Sequence, residues 1–350
     1  MVSISYIIPT FNNLELLKRC IYSIEPQLKS EDKIIIINDG SNDGTKEYLN
    51  ENFTKKRNYI ILNQPNKGSG SARNLGLERC DTDYIWFVDA DDFLVADARD
   101  RINEVLESNH YDLLFIGYSI KINSSEIENK EIQYDPQEKI GLFMTEHYPW
   151  NKVISKKLFQ NIYFPNENIR FQDQATIPVI ISKARTLGAI SKPLYIYDMS
   201  HPNNISKNSK KNKDIYAAFL YLNKHYKKQN LKKEEIEALY IKKFIFDEAY
   251  HSNINILKIY LNLRKVYHFL EANMSNWGKS ALLKQNEISK YNHIIKYVQL
   301  KAFIGKVISI SPLAASFLIF FFKLSKRVIF FIWKKSSGIK YLMNIRSRIL

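Results

Sequence analysis

The chain has 350 residues, 45% of them hydrophobic, and carries a net charge of +15. That length suits two domains, or one domain with a long appendage, and the hydrophobic fraction excludes wholesale disorder. Its two cysteines, Cys20 and Cys80, lack framework spacing, which argues against a disulfide scaffold and for a reducing, cytosolic setting.

Taken in order, Ile4–Pro9 reads as a strand rather than a signal peptide, because the first residues lack a basic region and a small-residue cleavage site. Asn12 and Asn13 can cap a helix with Leu14, Leu17, Ile21 and Ile24 on one face. Lys33–Ile37 is a second buried strand running into Asn38-Asp39-Gly40-Ser41, and the turn at 42–45 leads into a short helix. Tyr59–Leu62 is a third strand, followed by a Gly/Ser loop and a helix through Leu75 and Leu77. Repeated β-α-β units with short loops predict a mainly parallel sheet covered by helices. Tyr111–Ile120 adds a strand, and the polar stretch 121–140 reads as a surface loop. Beyond it the pattern predicts a helix around Trp150-Asn151-Lys152, a helix after Asp173, and short strands at Thr186–Ile190 and Leu194–Tyr197. Residues 214–300 read as helices.

The segment Tyr84-Ile85-Trp86-Phe87-Val88-Asp89-Ala90-Asp91-Asp92 organises the rest. Five apolar residues in a row suit a strand buried on both faces. Three carboxylates then crowd its end, and a hard divalent cation such as Mg²⁺ or Mn²⁺ would relieve their repulsion, taking oxygen from one or two carboxylates and from substrate phosphates. For Asp92 the competing reading is an acidic turn ahead of the helix that Asp97 opens. In a parallel sheet the strand ends at Pro9-Thr10-Phe11-Asn12, Asn38–Ser41, Asn66–Asn74 and Asp89–Asp92 gather along one edge, where ligands bind. There Asp39 can accept hydrogen bonds from a base, while the Gly68/Gly70 loop and Arg73 can approach phosphate.

These motifs, P-T-F-N at 9–12, I-N-D-G-S-N-D-G-T at 37–45, N-K-G-S-G-S-A-R-N-L-G at 66–76 and F-V-D-A-D-D at 87–92, occur in an order that resembles the family 2 glycosyltransferases. Trp150-Asn151-Lys152, Gln172-Asp173-Gln174 and Tyr195-Ile196-Tyr197 continue the resemblance, which covers roughly residues 1–206. It implies an α/β GT-A nucleotide-sugar-binding domain over 1–206; the residue pattern beyond it predicts a helical region over 207–300 and basic, apolar membrane-associating helices over 301–350. It also implies that Pro9, Thr10, Asn12, Asp39, Gly68, Arg73, Asp89, Ala90 and Asp91 hold a nucleotide-sugar, UDP-linked if Asp39 reads uracil. By the same resemblance Asp91, with Asp89, binds Mg²⁺ or Mn²⁺, Asp173 is the general base, and Trp150 and Gln172 lie on the acceptor side. The chemistry implied is inverting transfer to a saccharide or lipid-linked acceptor in bacterial surface-polysaccharide synthesis. Two departures stand out: Gln172 replaces the usual Glu before Asp173, and Asp198-Met199-Ser200-His201 replaces a basic residue after the paired tyrosines. His201 is either a further metal or pyrophosphate contact or a surface histidine, and Asp173 can also cap the helix it opens.

Two other readings compete. Gly68-Ser69-Gly70 is reminiscent of a dinucleotide-binding fingerprint, but Arg73 stands where the third glycine should be. A degenerate, non-catalytic scaffold would have no need of Asp39, Asp89, Asp91 and Asp173 together. The charge is uneven: residues 1–200 carry 23 Lys/Arg and 28 Asp/Glu, whereas 201–350 carry 28 and 8. Val307–Phe322 is apolar but short of the ~20 residues of a membrane span and contains Pro312, and Val328–Trp333 is a second apolar run. Aromatics beside a basic face suit a peripheral position on the anionic, cytoplasmic membrane surface, and no module accompanies the charge that would bind nucleic acid.

Overall fold

The computed structural model describes residues 2–123, 126–130, 138–167, 169–201, 214–226, 231–250, 255–284 and 298–321, with Ile132, Asp135 and Lys323. The chain divides into two units, Met1–Lys232 and Lys233–Leu350. In the first, parallel strands β1 (Ile4–Thr10), β2 (Lys33–Asn38), β3 (Tyr59–Asn63) and β4 (Tyr84–Phe87) alternate with helices α1 (Leu14–Ile24), α2 (Thr45–Phe53) and α3 (Ser69–Arg79). After β5 (Phe93–Leu94) and α4 (Ala98–Asn109) come β6 (Leu113–Lys121), β7 (Ile127–Lys130), α5 (Lys139–Leu142), β8 (Lys152–Ser155), α6 (Gln172–Lys183), β9 (Leu187–Asp198) and α7 (Asp214–His225). The strands form one sheet in the order β3–β2–β1–β4–β8–β6–β9–β5, with β7 beside β6.

The continuous isoleucine run of β2 is buried on both faces, as a central strand requires. On one face Tyr6, Ile8 and Ile36 join Leu17, Cys20, Ile21 and Ile24 of α1, which recur at the spacing of an amphipathic helix. On the other, Gly76 of α3 lets the helix approach Ile7 and Ile37; an added Cβ would come within 2.6 Å of Ile7 Cγ2. At the end of the strands where the chain enters, Arg99 donates to both carboxylate oxygens of Asp32 at 2.7 and 3.0 Å, and both side chains are fully buried. Asp32 also accepts from the Ile4 and Lys29 amides, so the ion pair pins β1, β2 and α4 together.

Three sequence expectations change here. The helix expected around Trp150-Asn151-Lys152 is instead β8, a reversed strand wedged between β4 and β6, with Ile154 opposite both Ile85 and Leu113. Its four residues are all buried, and the pairing on both sides overrides any helical pattern. The two short strands become one, β9, whose register with β6 slips at Gly117. A side chain at Gly117 would collide with the Ser191 carbonyl at 2.1 Å, so the bulge depends on glycine there. The stretch 121–140 is not all loop, since Ile127–Lys130 pairs with β6.

The second unit is helical. Lys233–Tyr240 runs into a π-wound turn at Ile241–Asp247, whose Phe244 meets Phe269 of the helix Ile256–Asn273 at 4.6 Å. The helix Val298–Ile310 buries Ala302, Ile304 and Ile308 and stops before Ser311. Ser311 Oγ accepts from the Ala314 amide and Pro312 follows it, so the chain restarts as a new helix over 312–321. Ala315 and Ile319 of that helix are buried, whereas Leu313, Phe317 and Phe321 are 52%, 47% and 61% exposed. Among the described residues no helix is long and apolar enough to cross a membrane. The apolar run Val328–Trp333 lies outside the described residues.

Candidate active site

Residues Pro9 and Thr10 close β1, Asn38 closes β2, and Asp89 follows β4, so the C-terminal ends of the parallel strands bring these groups to one edge. Thr10 Oγ1 is buried and meets no hydrogen-bond partner among the described residues. Asn12 adopts φ +51°, and its side chain accepts from the Asn42 amide while Ser41 Oγ accepts from the Asn12 amide. These bonds lock the first strand end to the Asn38–Thr45 turn.

Asp39 organises the next loop. Its carboxylate accepts from Gln64 Nε2 (2.7 Å) and from the Lys67 and Gly68 amides (both 2.8 Å). A carboxylate offers about four lone-pair sites, so about one remains for a ligand donor. The geometry demands glycine at both ends of this contact. Gly40 sits at φ +80° with the Asn66 amide nitrogen 2.8 Å from where a Cβ would be, and Gly68 at φ +90° precedes α3. Arg73, on the first turns of α3, donates to Asp89 Oδ1 at 2.8 Å and lies 5.6 Å from the Phe164 ring. Its buried Nε finds no partner among the described residues.

The acidic turn is held by residues from distant parts of the chain. Tyr195 on β9 uses its hydroxyl twice: it accepts from the Asp89 amide (3.1 Å) and donates to Asp92 Oδ2 (2.6 Å). Asp92 is fully buried and accepts from the Asp198 amide through its other oxygen. Burial, with the Asp91 and Asp89 charges, holds its carboxyl well above the ordinary carboxylate range. Arg19 of α1 donates to the Asp91 carbonyl (2.5 Å) and to Asp198 Oδ2 (2.6 Å). Burial would raise the Asp198 carboxyl, but hydrogen bonds from Ser200, Arg19 and Lys121 outweigh it and hold it at about 2. Asp91 itself is shifted up, first by burial and then by Asp89, against the pull of His201 and Arg19. Ala90, between the two carboxylates, is buried.

His201 comes to this turn, with Nε2 3.2 Å from Asp91 Oδ2. Among the described residues no three His, Cys, Asp or Glu side chains form a complete cation cage. The Asp91 carboxylate is an oxygen ligand of the kind that suits Mg²⁺ or Mn²⁺, with substrate phosphate and water completing the shell; the imidazole beside it is a softer ligand that Mg²⁺ takes less readily. Arg73 already neutralises Asp89, which leaves Asp91 as the carboxylate whose charge a cation would balance.

Asp173 lies in the first turn of α6, partly buried, and its Oδ1 accepts from the Gln174 amide. Gln172 Nε2 donates to Ser69 Oγ at the start of α3, which ties the Asp173 turn to the Gly68 loop. Trp150 is buried between Tyr148 and Tyr195, stacked at 4.7 and 4.6 Å, so it forms a wall behind the site rather than an open surface. Lys152, fully buried, is pushed down to about 7 by desolvation, against the nearby charges of Asp173 and Glu146. Arg19, Asp198 and the double role of Tyr195 carry no local sequence signal.

Residues 5–177 match the family model described as Glycosyl transferase family 2. The chain carries a family 2 glycosyltransferase domain. It is 26% identical over 224 residues to the uncharacterized glycosyltransferase EpsJ of Bacillus subtilis, covering 58% of this chain and 63% of that relative. To the glycosyltransferase GlyG of Streptococcus pneumoniae it is 26% identical over 212 residues, covering 55% of this chain and 70% of the relative. The match thus spans just under two thirds of the Bacillus protein. Among solved structures, S. aureus TarS 1–349 in complex with UDP-GlcNAc aligns with a TM-score of 0.67 at 18% identity, over 88% of this chain and 91% of that one. At that identity the likeness shows the fold, which is GT-A: the domain is α/β, with the sheet described above and helices after it.

Proposed function

We propose that the domain transfers a glycosyl unit from a UDP-linked nucleotide-sugar to a hydroxyl of a lipid-linked or growing saccharide, with inversion, in the synthesis of a bacterial surface polysaccharide such as a capsule. One observation carries this reading: Gln172 ties the carboxylate turn at Asp173 to the Gly68 loop beside the acidic Asp89–Asp92 turn. An acceptor base and a donor cradle therefore share one wall. Thr10 Oγ1 and the remaining lone pair of Asp39 are the groups offered to the nucleoside, and the TarS complex with UDP-GlcNAc supports a nucleotide-sugar as donor. Pro9, Asn12, Gly68 and Ala90 shape the cradle, and Arg73 and Asp89 border the diphosphate.

Asp173 would take the proton of the acceptor hydroxyl as that oxygen bonds to the anomeric carbon and the bond to the diphosphate oxygen breaks. Asp91 and His201 are the residues that would hold Mg²⁺ or Mn²⁺. When bound, such a cation neutralises the departing diphosphate. The exposed Leu313, Phe317 and Phe321 stripe, and the ten Lys/Arg with no Asp/Glu over 301–350, support peripheral attachment to the cytoplasmic face of an anionic membrane. The reading is tested by Asp173→Asn: transfer should fall by ~10²-fold or more while nucleotide affinity stays within about twofold. Full transfer by the folded variant would remove Asp173 as the base.

A further inference from the structure

An aromatic cluster stands beside the base with no part in the chemistry above. Trp150 has Tyr148 stacked on it (4.7 Å, 9°), Tyr195 likewise (4.6 Å, 13°) and Tyr197 offset (5.5 Å, 20°), while Tyr118 meets it edge-on (4.8 Å, 85°). Trp150 is only 3% exposed and has no face left to offer. Tyr118, Tyr148 and Tyr197 are partly exposed, so the cluster reaches the surface through three tyrosines set around a buried indole.

The mounting is rigid. Lys152 Nζ donates to the Tyr148 carbonyl (2.8 Å) and to Asn151 Oδ1 (2.6 Å), and its ammonium lies 5.2 Å from the Phe115 ring. The Trp86 indole donates to the Trp150 carbonyl at 2.8 Å. The 148–152 segment is therefore braced internally by Lys152 and tied to β4 through Trp86, which gives the Trp-Asn-Lys run a physical purpose. Tyr195 carries the other side of the stack and, through its hydroxyl, the Asp89–Asp92 turn. Burial first, and then the Glu146, Tyr118 and Asp173 charges, keep the Tyr148 phenol protonated, so it remains a donor within the electrostatic reach of Asp173.

We infer that Tyr148, with Tyr118 and Tyr197, is an acceptor subsite that stacks a pyranose ring. The assignment rests on the transferase reading and narrows its acceptor to a saccharide. A pyranose presents a face of C–H bonds to the electron-rich face of an aromatic ring, and its hydroxyls meet the polar rim. That rim here is the three phenols, and the charges of Glu146 and Asp173 lie near enough to act on Tyr148. An alkyl chain or an acyclic polyol phosphate would match the rings or the rim, but not both.

The test uses the full chain saturated with UDP and Mn²⁺, and octyl glycopyranosides of glucose, galactose and N-acetylglucosamine as probes, with octyl glycerol as control. Binding is read by saturation-transfer NMR. At least one pyranoside should receive transfer on the C–H protons of one ring face. Its affinity should fall about five- to tenfold in Tyr148→Ala and stay within about twofold in Tyr148→Phe, which keeps the ring. UDP affinity, measured by calorimetry on the same samples, should not change in either variant. Transfer confined to the octyl chain, no pyranoside binding above octyl glycerol, or unchanged pyranoside affinity in Tyr148→Ala would each overturn the assignment. Failure of UDP to bind the parent chain would instead strike the transferase reading.

Discussion

Replacing Tyr195 with Phe deletes one oxygen and leaves the Trp150 stack in place. That oxygen serves a partly buried group and a fully buried one, accepting from the Asp89 amide at 3.1 Å and donating to Asp92 Oδ2 at 2.6 Å. A hydrogen bond contributes a net ~0.5–1.5 kcal/mol, and leaving its desolvated partners unpaired costs ~1–3 kcal/mol. The two effects share one site and do not simply add, so a loss of about 3 kcal/mol is expected. For a unit the size of Met1–Lys232 that corresponds to a melting temperature lower by ~6–12 °C. Function should suffer as well, because Asp89 and Asp91 would no longer be held in one arrangement. Urea unfolding followed by tryptophan fluorescence measures the first effect, and Mn²⁺-dependent nucleotide binding the second. A stability loss below ~1 kcal/mol, with nucleotide affinity unchanged, would refute the reasoning that Tyr195 fixes the acidic turn.

Three further outcomes follow from other parts of the molecule. Arg99→Met strands the Asp32 charge in a site where both side chains are fully buried, and should cost ~3–5 kcal/mol in unfolding free energy. Combining it with Asp32→Asn should recover part of that loss. Asp198 titrates at about 2 in the folded chain against an ordinary 3.8, so its ionised form stabilises the fold by about 2 kcal/mol above pH ~4. That contribution should vanish as pH falls through 2, and Asp198→Asn should flatten the acid limb of the stability–pH curve measured by urea titration. Deleting 301–350 should move the protein from the membrane pellet to the supernatant while nucleotide binding persists; a truncated chain that still pellets would contradict the attachment.

The edge that gathers the strand ends was legible because its residues follow strands whose apolar runs are unambiguous. Thr10, Asp39, Asp89 and Asp91 could be placed on one edge from pattern alone. The turn residues added to this, since Gly40 and Gly68 occupy positive-φ positions that other residues resist. What holds the acidic turn was not legible. Arg19 and Asp198 meet across 179 positions, and Tyr195 reaches Asp89 across 106, separations at which no local pattern survives. The strand β8 was misread as helix because its four residues are buried by pairing on both sides, a fact about neighbours rather than about sequence. Trp150 and Gln172 were expected to face the acceptor. Trp150 is instead buried beneath the tyrosines stacked on it, and Gln172 reaches back to Ser69 beside the Gly68 loop.

The most direct test of the central claim is calorimetric titration of the purified full chain with UDP-, GDP-, CDP- and dTDP-sugars, with and without Mn²⁺. A UDP-sugar should bind, and bind more tightly with the cation, while Asp91→Asn should lose the cation's contribution. Binding of none of the four classes by a folded protein would contradict the transferase reading and leave the domain a scaffold.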